Sequence, residues 1–396
     1  MSPRVNSAAI RRLNVIRVFH ALRENPNASQ AELGRLTGLD KATTSAVVTQ
    51  LLDDGLVERT EGPRARRIGR PETALAIAPS AGLLVGARLE PRTIRIVTTT
   101  LAGTVLEHVQ IPGSMDIGTA ADRLHEGIDR AVAASGGPGG VGLPVRGVGV
   151  GIPALMDREG RLVLAPNLGW RDTPIRARLE AALGAPVYID NDTKAAAMAE
   201  RLFGVCRDVE DFVYLTGHSG VGGGLFLGGR LYRGAQGFAG EVGHVTVVPD
   251  GRPCGCGKRG CLETYVSESA ILAQAAERGR DLPDLGAVTA AARDGDAVVT
   301  ALLDEVGERL GIALSHMVNL MNPALAVLGG NLSVAADVFL PALNRALERH
   351  ALEPLRRDLR LVVSPLGPDA VPMGGIALAM EGFLSAPAPV EELLRR

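Results

Sequence analysis

The stretch Gly240–Glu263, GEVGHVTVVPDGRPCGCGKRGCLE, carries the densest information in this chain. It holds three of the four cysteines, Cys254, Cys256 and Cys261, and a histidine, His244, ten residues before the first of them. Three thiolates and one imidazole make a closed tetrahedral set for Zn2+. The Cys-x-Cys pair sets two sulfurs on one tight turn, and Gly255, Gly257 and Gly260 are expected to let the backbone wrap a small ion at positive φ. The same residues could make a disulfide, or a zinc knuckle that serves no pocket. Thiols clustered with a histidine, in a chain that reads as cytosolic, favour zinc. Glu241 and Glu263 flank the cluster and neither is needed as a ligand. Zinc would therefore fix a loop that presents carboxylates to something else.

At 396 residues the chain exceeds one ordinary core, so two or three domains are expected. Its 46% hydrophobic content supports a large globular body, and 3% aromatic content makes the core aliphatic. The net charge of −2 is unevenly spread: residues 1–80 hold 12 Lys and Arg against 8 Asp and Glu, so the head is net positive and the remainder net negative. A small basic head on an acidic body suggests that only the head meets an anionic polymer. Only Lys41, Lys194 and Lys258 stand against 39 Arg, which resembles coding bias more than a chemical requirement. No signal peptide or run of 18 apolar residues is visible, so a cytoplasmic protein with no membrane partner is expected. Cys206 stands alone and reads as a core residue.

Residues 8–23 carry apolar side chains at helical spacing. After Asn25-Pro26-Asn27, Ser29-Gln30-Ala31-Glu32 has the form of a capping box. Gly38-Leu39 is a tight turn, and Asp40 caps a second helix, Lys41–Asp54, in which Ala42, Val47, Val48, Leu51 and Leu52 can face inward. A strand begins after Gly55, a basic turn occupies 62–71, and Thr73–Ile77 returns. Helix, helix–turn–helix and basic hairpin together spell a winged helix–turn–helix, whose second paired helix enters the major groove of double-stranded DNA. Lys41, Thr43, Thr44, Ser45 and Thr49 form its expected polar face, suited to base edges and phosphates. Arg64, Arg66, Arg67 and Arg70 suit phosphates or a narrow minor groove. A helical protein-contact module with a solvated arginine loop is the plainer reading of the same pattern. From Leu83 strands and helices alternate, implying sheets covered on both faces.

The pattern H-x9-C-x-C-G-x-x-G-C-x-E, preceded by Gly-Glu-Val-Gly-His, resembles that of the ROK family (repressors, open reading frames, sugar kinases). Weaker similarity extends over roughly residues 10–380, and the Gly69-Arg70-Pro71 sequence is also common in ROK regulators. The resemblance implies an α/β chain: an N-terminal winged helix–turn–helix followed by a two-lobed actin-like, sugar-kinase (ribonuclease H-like) body. The expected domains are residues 1–80 for the DNA-binding head, 81–194 for a smaller lobe and 195–396 for a larger lobe with the zinc loop, the C-terminal helix being free to return to the smaller lobe. Asn191 and Asp192 match the pair that binds the sugar in ROK kinases, with Asp192 at the general-base position. Glu241, His244 and Glu263 resemble the other sugar contacts, and Asn167 lies in a segment like the one that edges the pocket. The family often continues N-D-A-N; here Thr193-Lys194 follows, so the second Asn is lost.

On the nucleotide side, residues 216–224 resemble the second phosphate loop and Leu328-Gly329-Gly330 the adenosine segment. The first loop departs. ROK kinases open the body with a strand and D-x-G-G-T, whereas this chain has Arg88-Leu89-Glu90-Pro91-Arg92-Thr93. Arg88 stands at the metal-orienting Asp, Glu90 would repel phosphate, and Pro91 has no N–H to donate. Phosphoryl transfer depends on positioning and charge neutralisation, so catalysis is expected to be lost. The resulting expectation is a sugar-responsive DNA-binding regulator, a repressor, with structural Zn2+, a sugar or sugar-phosphate effector and a homodimeric or homotetrameric assembly that matches two-fold DNA sites. The alternatives are an active sugar kinase with a DNA-binding head and a zinc-stabilised scaffold whose head contacts protein.

Overall fold

Two side-chain caps start the helices of the head. Ser29 Oγ accepts the Glu32 N–H at 3.3 Å, and Asp40 Oδ1 accepts the Thr43 N–H at 2.9 Å. Each satisfies a donor that a helix N-terminus would leave open. In the computed structural model, which describes residues 7–60, 73–136, 142–217 and 220–385, these caps open α2 (Gln30–Thr37) and α3 (Lys41–Asp53), after α1 (Ser7–Glu24). Gly38, at φ 68°, ends α2 in the left-handed region. Strand β1 (Val57–Thr60) pairs antiparallel with β2 (Ala74–Ile77), Val57 opposite Ile77. Val18, Phe19, Leu22, Leu33, Val47, Val48 and Leu51 form the buried centre of this head. Ala42, expected to face inward, is exposed. The wing arginines Arg64, Arg66, Arg67 and Arg70 lie outside the described residues.

The body follows as β3 (Leu83–Leu89), β4 (Thr93–Thr100), β5 (Val105–Pro112), α4 (Ile117–Ser135), β6 (Val145–Ile152), β7 (Leu155–Met156), β8 (Leu162–Ala165), β9 (Trp170–Thr173), α5 (Ile175–Leu183), β10 (Val187–Asn191) and α6 (Asp192–Leu202). Next come β11 (Phe212–Gly217), β12 (Val221–Leu227), β13 (Arg230–Leu231), α7 (Glu263–Val266), α8 (Glu268–Glu277), α9 (Leu285–Arg293), α10 (Ala297–Met321), β14 (Leu325–Gly330), α11 (Ala336–His350), α12 (Glu353–Arg356), β15 (Arg360–Val363) and α13 (Ala370–Ser385).

These elements build two five-stranded sheets, ordered β10-β6-β3-β4-β5 and β13-β12-β11-β14-β15. In each, the first strand is central, its two successors extend the sheet on one side, and two later strands add on the other. The repeated topology is what the sugar-kinase-like resemblance implies and what residue periodicity alone does not reveal. In the second sheet β11 runs antiparallel to β12 and parallel to β14.

The described residues fall into two compact units. One holds those up to Val150, Arg176–Tyr188 and those from Gly375 on; the other holds Gly151–Ile175 and Ile189–Gly374. The second unit's core is aliphatic, with Leu302, Leu303, Leu310, Leu314, Leu328 and Leu343 fully enclosed. Helices α10 and α11 approach closely where Gly307 and Gly311 lack side chains: a Cβ there would overlap Phe339 O and Ala346 Cβ. No helix among the described residues is long and apolar enough to cross a membrane.

Candidate metal centre and sugar site

The ligand atoms of His244, Cys254, Cys256 and Cys261 all lie within 4.8 Å of one another. His244 Nδ1 is 3.7 Å from Cys254 Sγ, and Cys256 Sγ is 3.7 Å from Cys261 Sγ. Around a tetrahedral ion with bonds of about 2.0–2.3 Å, ligand atoms sit roughly 3.5–3.8 Å apart, so the donor set fits Zn2+ in type and spacing. The loop is held by its own backbone: Cys254 N–H donates to Lys258 O at 2.8 Å, Gly257 N–H to Cys254 O at 3.0 Å and Leu262 N–H to Val245 O at 2.9 Å. Gly257 and Gly260 take positive φ, 85° and 73°, as the turn requires. Gly255 does not, and a Cβ there would meet nothing, so that part of the expectation is corrected.

Burial raises the Cys254 thiol and pushes Cys261 up to about 12, while the Lys258 backbone N–H lowers Cys256. A dication among them would reverse the first two directions, because thiolates are the metal-binding form.

The glycine run in β12 has a use that differs from the expected phosphate cradle. A Cβ at Gly222 would overlap Thr193, and one at Gly224 would overlap Ala197. Both glycines therefore let α6 press onto the sheet. Gly223 faces the other way, its N–H donating to Gly240 O at 2.8 Å. The bare strand thus lies between the helix that begins with Asp192 and the turn that carries Glu241. Glu263 closes the set, its Oε2 accepting the Val221 N–H at 3.1 Å. His218 and Ser219 lie outside the described residues.

These placements bring Asp192, Glu241, His244 and Glu263 into one electrostatic group. Solvent reaches Glu241, yet protein surrounds it closely enough that desolvation raises its carboxyl pKa; His244 and Lys194 pull it down, and Asp192 and Glu263 push it up. Asn191 caps α6, its Oδ1 accepting the Thr193 and Lys194 N–H groups at 3.0 and 3.2 Å while its Nδ2 donates to Ala154 O at 3.0 Å. Asn167 is exposed on the turn Pro166–Leu168, and Trp170 is buried.

Sequence reasoning noted Lys194 only as a lost Asn. It is buried, donates from Nζ to Gly237 O, and acts electrostatically on Glu241. Beside it Arg233 Nη2 donates to Asp190 Oδ2 at 2.7 Å.

In the other unit, the hairpin between β3 and β4 contains Arg88, 4% exposed, paired through Nη2 with Glu90 Oε1 at 2.9 Å. Glu90 N–H donates to Thr93 O at 3.1 Å, closing a tight three-residue connection. Arg88 and Glu90, the two charges that break the kinase pattern, answer one another.

On α3, Lys41 and Thr49 are exposed and Thr43 and Ser45 are half-buried. Thr43 Oγ1 donates to Asp40 Oδ2 at 2.6 Å. Thr44 departs from the expected polar face: it is 1% exposed and donates to Asp40 O at 2.9 Å, so its hydroxyl serves the helix. The outward stripe is Lys41, Ala42, Ser45, Ala46 and Thr49.

The ROK family profile matches residues 86–381, and a MarR family profile matches residues 12–68. The xylose repressor of Caldicellulosiruptor bescii is 31% identical over 401 residues, covering 96% of this chain and 99% of its own length. A glucokinase of Halalkalibacterium halodurans is 32% identical over 309 residues, covering 74% of this chain and 93% of its own. A crystal structure of a ROK family transcriptional regulator, described as a homologue of the E. coli MLC protein, matches with a TM-score of 0.82 and 28% identity over 95% of this chain and 97% of that one. By its profile match and its near full-length similarity to relatives, the chain belongs to the ROK family.

Proposed function

We propose that this ROK protein is a sugar-responsive transcriptional repressor. The observation that carries the reading is the joining of a winged-helix head to a sugar-kinase-like body whose first phosphate hairpin is closed by the Arg88–Glu90 pair and Pro91. The head comprises residues 1–80; the body's smaller lobe is built mainly from 81–194 and its larger lobe mainly from 195–396, with 151–175 and 189–194 belonging to the second compact unit and the segment from Gly375 on to the first. Lys41, Thr43, Ser45, Thr49 and the wing arginines Arg64, Arg66, Arg67 and Arg70 contact DNA. The sugar is held by Asn167, Asn191, Asp192, Glu241, His244 and Glu263. Zn2+ on His244, Cys254, Cys256 and Cys261 fixes the loop and the imidazole's orientation. It is structural, and the protein is not an enzyme. A homodimer or homotetramer pairs two heads on a two-fold operator. Sugar lowers operator affinity by preferring the non-binding state, as linkage requires.

A mobility-shift titration of the upstream DNA, with and without xylose or glucose, tests the reading. Binding that is released by sugar, with a weaker response in Asp192→Asn, is the expected result. DNA binding indifferent to every sugar would overturn it. The second reading, an active kinase with a DNA-binding head, is favoured by the glucokinase similarity and by Asp192 at the start of α6.

A further inference from the structure

Among the described residues the pocket proposed above is acidic, and its non-ligand cations Lys194 and Arg233 already serve the protein. Asp190, Asp192, Glu241 and Glu263 gather where α6, β12 and the 232–241 loop meet. Among the described residues the non-ligand cations acting on Glu241 and Lys194 are Lys194 and Arg233. Arg233 is held by Asp190 and Lys194 by Gly237 O.

Among the described residues, four backbone donors beside the carboxylates are also engaged. Thr193 and Lys194 N–H point to Asn191 Oδ1, Val221 N–H to Glu263 Oε2, and Gly223 N–H to Gly240 O. The carboxylate oxygens are well matched to hydroxyl donors and poorly matched to a phosphate.

Lys194 stands where elementary rules disfavour a cation. It is the third residue of α6, near the positive end of the helix dipole, and is 3% exposed. Burial lowers its pKa, and Asp190 and Glu241 push it back up. A local rule broken in this way marks a site with a job beyond folding. The carbonyl it grips belongs to Gly237, at φ 100°, whose backbone lies against the Met156–Arg158 turn: a Cβ there would meet Met156 O at 2.7 Å. Lys194 therefore ties α6, which begins with Asp192, to the loop that ends in Glu241.

We infer that Lys194 is a positioning residue of this pocket: it holds the Gly234–Glu241 loop against α6 and balances the surrounding carboxylates, so that the pocket takes an uncharged sugar and rejects its phosphate ester. The inference rests on the proposed sugar-binding role of the site and names the class of effector.

Isothermal titration calorimetry on the full-length, metal-loaded protein tests it, with D-xylose, D-glucose, xylose 1-phosphate and glucose 6-phosphate as probes. At least one free sugar should bind, and its phosphate ester should bind about tenfold more weakly or worse, as like charges brought together require. Lys194→Met should weaken the free sugar by about tenfold or more, and Lys194→Gln, which keeps a donor for Gly237 O, should recover part of that loss. Melting temperature and metal content, read on the same samples, report whether each variant is folded.

An ester that binds as tightly as the free sugar overturns the inference while leaving the repressor reading intact, and so does a folded Lys194→Met with wild-type affinity. If Lys194→Met does not fold, the wild-type preference decides alone. If none of the four compounds binds the wild type, this inference fails, and the mobility-shift titration extended to other sugars decides the proposed function separately.

Discussion

Gly260 shows how much a single residue can carry. At φ 73°, with Val248 O where a Cβ would go, it admits no side chain, and its carbonyl accepts from both Val247 and Val248. Gly260→Ala should cost about 1–3 kcal/mol of stability through strain and overpacking. The protein should also retain less than a full equivalent of zinc. Metal analysis beside a denaturant melt checks both, and full metal retention at wild-type stability would contradict the account.

Glu200, fully buried, makes a second residue-level test. Its carboxylate accepts from Ser364 Oγ and from Val205 N–H, yet burial is the larger effect and raises its pKa. A folded-state pKa above the unfolded one means the fold holds that proton more tightly. The stabilisation is complete below the unfolded pKa and is lost as pH rises through the folded one. Glu200→Gln should therefore lose less stability than wild type as pH rises above 4.5, the ordinary value of this carboxyl. Melting curves across that range decide, and parallel curves for the two proteins would refute the assignment.

At the scale of elements, the caps of α2 and α3 were legible because Ser29 and Asp40 act on donors three residues away. The first half of β12 was not legible as strand, because its glycines resemble a phosphate loop; the reason it is a strand, the approach of α6, lies 20–30 residues off in sequence. α13, the expected C-terminal helix, forms in spite of Pro372, Gly374 and Gly375. Pro372 falls in the first turn, where its missing N–H is harmless, and a Cβ at Gly375 would overlap Gly149 O. The α3 face was half legible: the polar residues were visible, but Thr44's inward turn depends on a hydrogen bond to Asp40 O. Thr49→Ala should accordingly change sequence preference, and Thr44→Ala should lower stability with preference kept. Changing Arg66 and Arg67 together to Ala should weaken binding on all sequences and reduce the salt slope by about 2, one per lost phosphate contact. Binding-site selection and salt titrations measure these, and a Thr49→Ala preference matching wild type would remove α3's outward face from base readout.

For the whole molecule, the family and the clustering of His244 with Cys254, Cys256 and Cys261 were legible because their residues are close in sequence and chemically distinctive. Lys194 was not. In a chain with 39 Arg, a lysine at a buried position was a signal that composition bias obscured. The two sheets' common topology arises from strand pairings across long separations. A coupled ADP-release assay across common sugars should give turnover well below about 1 s⁻¹, the lower end for kinases. Turnover at or above that level would make the kinase reading correct. The Arg88–Glu90 pair also bears on ancestry. Arg88→Asp alone would set two acids side by side in the hairpin, and Glu90→Gly alone would withdraw a carboxylate from a guanidinium that is 4% exposed. Neither single change approaches D-x-G-G-T, and Pro91 must change as well. Restoring D-x-G-G-T therefore takes several changes together, because either first step alone gives up the Arg88–Glu90 attraction.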